Sequence, residues 1–412
     1  MLLIDAGIDL NVRDKFGDTA LKIAVVDSYT EIVKLLIDGG IDLNIETRFG
    51  DTAFHIAVKH GYTEIVKLLI DGGIDLNIKN EDGKTALHDA ARQRNTEITI
   101  LLIDAGIDIN AKNKFGDTAL HIAVYQGYTD IVKLLIDGGI DLNVKNENGK
   151  TALHNAARQG NTEITMLLID AGIDLNVRDK FGDTALKIAV VDSYTEIVKL
   201  LIDGGIDLNI ETRFGDTAFH IAVKHGYTEI VKLLIDGGID LNIKNEFGDT
   251  ALKIAVVDSY TEIVKLLIDG GIDLNIETRF GDTAFHIAVK HGYTEIVKLL
   301  IDGGIDLNIK NEFGDTALKI AVVDSYTEIV KLLIDGGIDL NMKTRFDNTA
   351  LHIAVEHRYT DIVKLLIDGG IDLNIKDRDG KTALHDAARE RNPEITMLLI
   401  DAGIDLNAQN KI

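Results

Sequence analysis

Apolar positions recur along the chain in short helical stretches, and the same arrangement returns every 33 residues. In residues 118–125, Leu120, Ala123 and Val124 would lie on one side of a short first helix. A second helix is predicted over residues 129–137, where the apolar run is broken only by Lys133. The pattern therefore predicts a helix pair in each 33-residue unit.

Glycines mark the predicted ends of both helices. Gly127 follows the first helix, where a left-handed residue commonly terminates a helix. Gly138 and Gly139 follow the second helix, and residues 140–143 lead into the next turn. Isolated helices shorter than about 12–15 residues are marginal in water. These short helices are therefore expected to persist only by packing on each other and on the neighbouring units.

The turn motif Gly-Asp-Thr-Ala-Leu begins at Gly17 and returns in every unit with small changes and no insertion or deletion. Residues 17–412 hold twelve such units, which predicts an all-α solenoid of stacked helix-turn-helix units with protruding β-turn tips. We expect residues 17–412 to form a single solenoid domain and residues 1–16 to be a truncated N-terminal half repeat.

The signature segment reads Thr118-Ala119-Leu120-His121-Ile122-Ala123, and the loop that follows the second helix reads Gly-Ile-Asp-Leu-Asn. With its 33-residue period, this pattern resembles the ankyrin repeat, whose signature is Thr-Pro-Leu-His-x-Ala. The resemblance covers the whole chain. It implies a module that binds partner proteins through a concave face made of turn tips and first helices.

When the repeats are aligned, three columns of equivalent positions depart from the family pattern. Alanine replaces the family proline in every unit, as at Ala20 and Ala119. This loses the preorganisation that proline gives at the first helical position. Lysine replaces the histidine, and serine or arginine replaces the glycine after the first helix, in several units, which we expect to be less stable. The lysines are Lys22, Lys187, Lys253 and Lys319, and the replaced glycines are Ser28, Ser193, Ser259, Ser325, Arg94, Arg358 and Arg391.

Long blocks of the sequence are duplicated. Residues 182–247 are identical to residues 248–313, and residues 1–81 are identical to residues 166–246. Because Met166 lies inside a predicted second helix, Met1 would also start inside one. Either the gene start is truncated or misassigned, or recombination cut the array there; truncation is the favoured interpretation.

The residue usage is rich in Ile, Lys, Asn and Asp, with a single proline at Pro393, which suggests AT-rich coding. The chain in this respect resembles ankyrin-repeat proteins of intracellular bacteria. That resemblance implies a bacterial effector secreted into a host cell by a signal that the sequence does not reveal, whereas the missing targeting signals lead us to expect a cytoplasmic protein. No basic leader and no apolar run long enough for a membrane span are present, so no membrane association is expected.

The formal net charge of −24 repels phosphate backbones, so we expect no nucleic-acid partner. Cysteine is absent, which excludes disulfides, thiolate metal sites and a cysteine nucleophile. The recurring carboxylates, such as Asp38 and Asp42, are interpreted as a solvated acidic flank. The charge favours a basic partner.

Two motifs in the sequence are candidate sites of chemistry. Gly83-Lys84-Thr85 resembles the end of a phosphate loop, but the glycine required five residues earlier is Ile78. His55 and His60 are five residues apart, whereas a helical metal pair needs a spacing of four. The signature histidines are instead interpreted as hydrogen-bonding the turn between units. We therefore predict no enzyme activity, no cofactor, no metal and no small-molecule substrate.

Differences between units within the chain indicate where a partner would bind. The second helix hardly changes, while the turn tip and the end of the first helix vary. A column just after the signature also varies, with Ile23 and Ile56 in some units and Asp89, Asn155 and Asp386 in others. Tip phenylalanines are plausible anchors because aromatic residues are enriched in interface hot spots; alternatively, they pack on one another as a ladder. The candidate partner-binding residues are Phe49, Lys59, His60, Arg92, Gln93, Phe115, Tyr125, Gln126, Phe181, Phe214, Lys224, His225, Phe247, Phe280 and Phe313.

Two classes of function remain open. A third possibility is that the array is a product of repeat expansion without a selected role. The favoured class is a non-catalytic scaffold that binds an unidentified, preferably basic protein. The other class is an elastic or spacer rod without a dedicated partner, or a fragment of a larger multidomain protein. Near-identical units favour a spacer, because a tailored binding site needs residues that belong to one unit only.

Overall fold

The computed structural model describes residues 8–408, in which twenty-four helices follow one another without a strand. Residues 1–7 of the predicted half repeat lie outside the described residues. The expectation of an all-α repeat solenoid with a period of 33 residues is confirmed.

Each repeat begins with a first helix of seven or eight residues. These helices carry the odd numbers: α1 (Ala20–Val26), α3 (Ala53–His60), α5 (Ala86–Arg92), α7 (Ala119–Gln126), α9 (Ala152–Gln159), α11 (Ala185–Val191), α13 (Ala218–Lys224), α15 (Ala251–Val257), α17 (Ala284–Lys290), α19 (Ala317–Val323), α21 (Ala350–Glu356) and α23 (Ala383–Arg389).

The second helix of each repeat has nine residues and carries an even number. These helices are α2 (Thr30–Asp38), α4 (Thr63–Asp71), α6 (Thr96–Asp104), α8 (Thr129–Asp137), α10 (Thr162–Asp170), α12 (Thr195–Asp203), α14 (Thr228–Asp236), α16 (Thr261–Asp269), α18 (Thr294–Asp302), α20 (Thr327–Asp335), α22 (Thr360–Asp368) and α24 (Pro393–Asp401).

The first helix starts one residue later than the sequence pattern suggests, because the threonine before it acts as its N-cap. Thr118 is extended, with φ −92° and ψ 172°, and α7 begins at Ala119. An N-cap side chain satisfies an amide that has no partner within the helix. In the histidine-containing units the third helical residue completes a reciprocal capping box with the threonine, as His121 does in α7.

The first helices end on a residue in the left-handed conformation. Gly127 does so after α7 with φ 73°, as predicted. Where glycine is replaced, the conformation is kept: Ser259 has φ 56° and Arg94 has φ 55°. Side chains with a Cβ are disfavoured there, so these units contain a local strain that the glycine units avoid.

The described chain divides into two compact units, one ending at Arg213 and the other beginning at Phe214. Within each unit, every first helix packs on its own second helix and on the first helix of the next repeat, and the second helices pack in the same way. In α7 and α8, Ala123, Val124, Ile131, Val132 and Leu135 are fully buried. The folding of the array as a single domain stays a prediction.

Candidate functional site

The signature histidines connect adjacent repeats. The ring Nδ1 of His121 contacts the amide nitrogen and the Oγ1 of Thr118 at 3.2 and 3.0 Å, and its Nε2 lies 3.0 Å from the carbonyl oxygen of Lys150 in the next turn. Burial, which disfavours the imidazolium, lowers the pKa of His121 and lowers that of His88 to about 4. Both ring nitrogens are therefore engaged in the scaffold, as the sequence predicted.

In the lysine-containing units a different contact holds the turn. The amide of Lys253 donates to Oγ1 of Thr250 at 3.3 Å, and its ammonium pairs with Asp249, four residues earlier. The corresponding pairs in the other units are Lys22–Asp18, Lys187–Asp183 and Lys319–Asp315. This replacement removes the histidine bridge to the next turn.

One side chain within each turn tip fixes the backbone of that tip. In many repeats the tip also forms hydrogen bonds to the tip of the next repeat. Oδ1 of Asn113 accepts hydrogen bonds from the amides of Phe115 and Asp117 at 2.8 and 3.0 Å. The carbonyl of Phe115 in turn accepts from the amide of Glu147 at 2.9 Å, and the Asn146 amide group donates to Asp117 at 2.8 Å. The backbone of the tip is thus held in place while its phenylalanine ring points outward.

The tip phenylalanines lie at the surface. Among the candidates, the exposed fraction runs from 48% at Phe214 to 65% at Phe115. Arg48 lies over the ring of Phe49, with its guanidinium carbon 4.7 Å from the ring centroid. Roughly half to two thirds of each of these residues is therefore exposed, so the rings are not buried in a ladder. The same holds for Phe181, Phe247, Phe280 and Phe313.

Tips and first helices line the same pockets, so the two variable regions form one surface. We call it the turn-tip surface: the tip phenylalanines together with the last turns of the first helices. In the second unit, Phe247 of one tip, Lys224 of α13 and Val257 of α15 border a cavity of about 190 Å³. In the first unit, Arg92 of α5 and Tyr125 and Gln126 of α7 border a cavity of about 320 Å³.

The remaining candidates are distributed along this surface. Gln93, the C-cap residue of α5, is exposed. The exposed His60 and His225 stack on tyrosines two residues later, with ring centroids of His60 and Tyr62 5.4 Å apart.

Lys59 lies in an ion cluster that the sequence did not predict. Its Nζ is 2.7 Å from Oδ2 of Asp51 and 3.8 Å from Oδ2 of Asp89. Burial alone would raise the pKa of Asp51, but hydrogen bonds from Lys59 and Asn80 lower it. Lys59 is half-buried and stabilises the junction between two repeats.

The placement of Asp89 on the variable partner-binding surface was wrong. Asp89 is only 1% exposed, and its Oδ2 has no hydrogen-bond partner among the described residues. Burial raises the pKa of this carboxyl group. The carboxyl group of Asp89 lies beside Lys59 of the preceding repeat, so the change from isoleucine to aspartate alters this junction. In the second unit the isoleucines of the same column, such as Ile221 and Ile254, line a pocket instead.

The acidic loops after the second helices contribute a second contact between repeats that the sequence analysis missed. The amide of Asn143 donates to Oδ1 of Asp141 at 2.9 Å, and Oδ1 of Asn143 accepts from the amide of Asp174 in the next loop at 2.9 Å. Asp42 takes part in the same way and is therefore structural rather than only a solvated flank. The Asp-x-Asn spacing, which is the same in every loop, was the sequence signal for this contact between loops.

Across residues 8–408, no group of three or more His, Cys, Asp or Glu side chains could hold a metal ion. Among the helices of this same range, none is long and apolar enough to cross a membrane.

A family model identifies the repeat. A family model described as ankyrin repeats (3 copies) matches residues 1–80, 73–146, 120–212, 204–278, 271–344 and 337–410. A similar solved structure is the crystal structure of the ankyrin repeat domain of Bcl-3, described as a unique member of the IkappaB protein family. It is 29% identical, with a TM-score of 0.49, and the match covers 53% of this chain and 99% of that chain. No curated protein matches the chain.

Proposed function

The chain belongs to the ankyrin-repeat family, and we propose that it is a non-catalytic scaffold that binds a partner protein through the turn-tip surface. Ankyrin repeats are generally protein–protein interaction modules and are typically non-catalytic. Fold alone does not identify a ligand, so the choice of surface rests on the residues of this chain.

The observation that carries the proposal is the coincidence of exposed aromatic rings, pockets and variation between repeats on one surface. Phe115, at a tip, is 65% exposed. Tyr125, which borders a cavity, is 61% exposed. The second helices, in contrast, keep nearly the same sequence from repeat to repeat and supply the core. Exposed aromatic side chains beside pockets are the usual anchors of protein interfaces.

The charge of the chain supports a basic partner. The net charge of −24 attracts cationic proteins over a distance and accelerates their association at low salt. We therefore expect the affinity for the partner to fall as the ionic strength rises.

A spacer remains the alternative, because residues 182–247 and 248–313 are identical. A rod that only separates its ends needs no unit-specific residue. The two functions differ in their response to substitutions on the turn-tip surface.

The first test is affinity capture from a cell lysate with the whole chain as bait. The variant Phe115→Ala/Phe214→Ala/Phe280→Ala removes three tip rings without touching the core. If the chain is a scaffold, the wild type should capture a defined partner. The affinity of the variant for that partner should be lower on the order of tenfold or more, since truncation of a hot-spot residue costs about 2 kcal/mol.

The matched control is Ile100→Ala/Met166→Ala/Met397→Ala, which removes three apolar side chains exposed on second helices. This variant should capture the partner as well as the wild type. Equal, nonspecific captures by all three proteins would favour the spacer and contradict the proposal.

A further inference from the structure

Two pockets of the same construction lie within the second unit, 66 residues apart in sequence. In each, a tip phenylalanine, two isoleucines of adjacent first helices and a valine at a helix end enclose a cavity of about 190 or 210 Å³. The four apolar residues are Phe247, Ile221, Ile254 and Val257 in one pocket and Phe313, Ile287, Ile320 and Val323 in the other.

The order of repeat types creates these pockets. Both arise where a histidine-containing first helix that carries phenylalanine, α13 or α17, is followed by a lysine-containing one, α15 or α19. The helix of the same type in the first unit, α3, is followed by α5, where Asp89 replaces the isoleucine. There Lys59 turns toward Asp51 and Asp89, whereas Lys224 and Lys290 take part in no ion pair within residues 8–408.

The rim of each pocket is acidic on one side. Asp258 follows Val257 directly and forms no ion pair in the described part of the chain, whereas Lys253 is occupied by Asp249. Each pocket is lined by three aspartates and two lysines, so aspartate is in excess by one even though one lysine of each pocket forms no ion pair among the described residues. An apolar side chain whose neighbouring cation lies on the side of Asp258 or Asp324 therefore complements the pocket in both shape and charge.

We propose that the two pockets bind two equivalent anchors of one partner segment, each an apolar side chain next to a lysine or arginine. This proposal rests on the proposed function and specifies the partner. First helices packed at about 8–10 Å place pockets two repeats apart at roughly 16–20 Å. An extended chain rises about 3.3 Å per residue, so the anchors lie at least about five or six residues apart.

Two weak sites linked in this way act together. Once the first anchor is bound, the second is held at an effective concentration near the millimolar range, and the combined affinity exceeds that of either site by on the order of 10²-fold or more. Residues 216–258 and 282–324 are identical in sequence, so equivalent residues form both pockets.

The test uses the full chain to select binding peptides from a phage library of random 20-residue peptides. The retained peptide is synthesised and titrated by fluorescence anisotropy against the wild type, Val257→Lys, Val323→Lys and the double variant. A lysine fills the pocket and repels the cation of the anchor. Each single variant should raise Kd on the order of 10²-fold, to a similar level, and the double variant should abolish binding.

The control is Val191→Lys. Val191 occupies the same place at the end of α11 and is 44% exposed, close to 45% at Val257 and 40% at Val323, but it lines neither pocket. It should leave Kd unchanged. A peptide shortened to two residues between its anchors should bind the wild type no better than the single variants do.

Loss of binding in only one single variant, or in none, would overturn the proposal, as would the selection of no peptide. A peptide that ignores the valine variants but is lost in the Phe115→Ala/Phe214→Ala/Phe280→Ala variant would overturn bivalent recognition alone. The turn-tip surface would then still be the binding surface.

Discussion

At the scale of single residues, the same column can serve the fold in different ways. His121 bridges two repeats with both ring nitrogens, while Lys253 caps its own helix and pairs with Asp249. Asp89 shows the cost of such variation, because its buried carboxyl group has one oxygen that forms no hydrogen bond within residues 8–408. The variable columns therefore include residues that adjust the junctions between repeats as well as residues that are free to meet a partner.

The buried histidines should make the fold sensitive to mild acid. The pKa of His88 is lowered by burial to about 4, below its value of about 6.5 in an unfolded chain. Its contribution to stability is complete above pH 6.5 and is lost as the pH falls toward 4, because only the unfolded chain then takes up the proton. The loss at that site is on the order of 3 kcal/mol.

A proton NMR titration of the imidazole resonances measures this directly, with His88→Gln to assign the signal. The His88 resonance should stay constant from pH 7.5 to 5.5. A midpoint near 6.5 in the folded protein would contradict the buried, neutral role of this column.

The left-handed serines should be sites of local strain. Ser259 has φ 56°, a conformation that costs a residue with a Cβ about 1 kcal/mol more than glycine. Ser259→Gly is therefore expected to slow amide exchange in α15 by a few-fold. Ser259→Ala removes only the hydroxyl and keeps the strain, so it should leave exchange unchanged or faster. If both variants behave alike, the backbone conformation is not the cause.

At the scale of the element, most of the helix pair was predictable from the sequence. The bounds of α8 match the prediction, and Gly127 terminates α7 as expected. The one-residue shift at the start of α7 arises because Thr118 forms the cap, which apolar periodicity does not reveal. The burial of Asp89 could not be read from the sequence, since alternation between isoleucine and aspartate in one column resembles a surface position.

Proline at the start of a first helix should stabilise it. Ala119 is the first residue of α7, and its predecessor Thr118 is extended, as a residue before proline prefers. Ala119→Pro together with Ala152→Pro should raise Tm. Each site should add about 0.4–1 kcal/mol to the free energy of unfolding, because proline lowers the entropy of the unfolded chain.

Differential scanning calorimetry measures the shift. Ala123→Pro, in the interior of α7, is the control and should lower Tm, because it removes a helical hydrogen bond at a cost of about 3 kcal/mol. An unchanged or lower Tm in the double variant would show that the alanines fit their buried sites better than proline can.

At the scale of the whole molecule, repetition supplies both the stability and the proposed binding surface. Within each of the two units, histidine bridges, tip hydrogen bonds and the Asp-Asn loop contacts join one repeat to the next. The family and the 33-residue period were evident from the sequence. The clustering of Arg92, Tyr125 and Gln126 around one pocket was suggested by their place at the ends of first helices. The pair of pockets in the second unit, in contrast, depends on which repeat follows which.

Site-specific photo-cross-linking shows whether the turn-tip surface contacts a partner protein. A benzophenone amino acid is placed at Phe115 or Phe247 on the tips, and at Met166 or Met397 on second helices, in otherwise unchanged chains. If the turn-tip surface binds the partner, both tip positions should cross-link to the same protein in cell lysate and the second-helix positions should not. Cross-links only from the second helices, or equal cross-links from all four positions, would contradict binding by this surface.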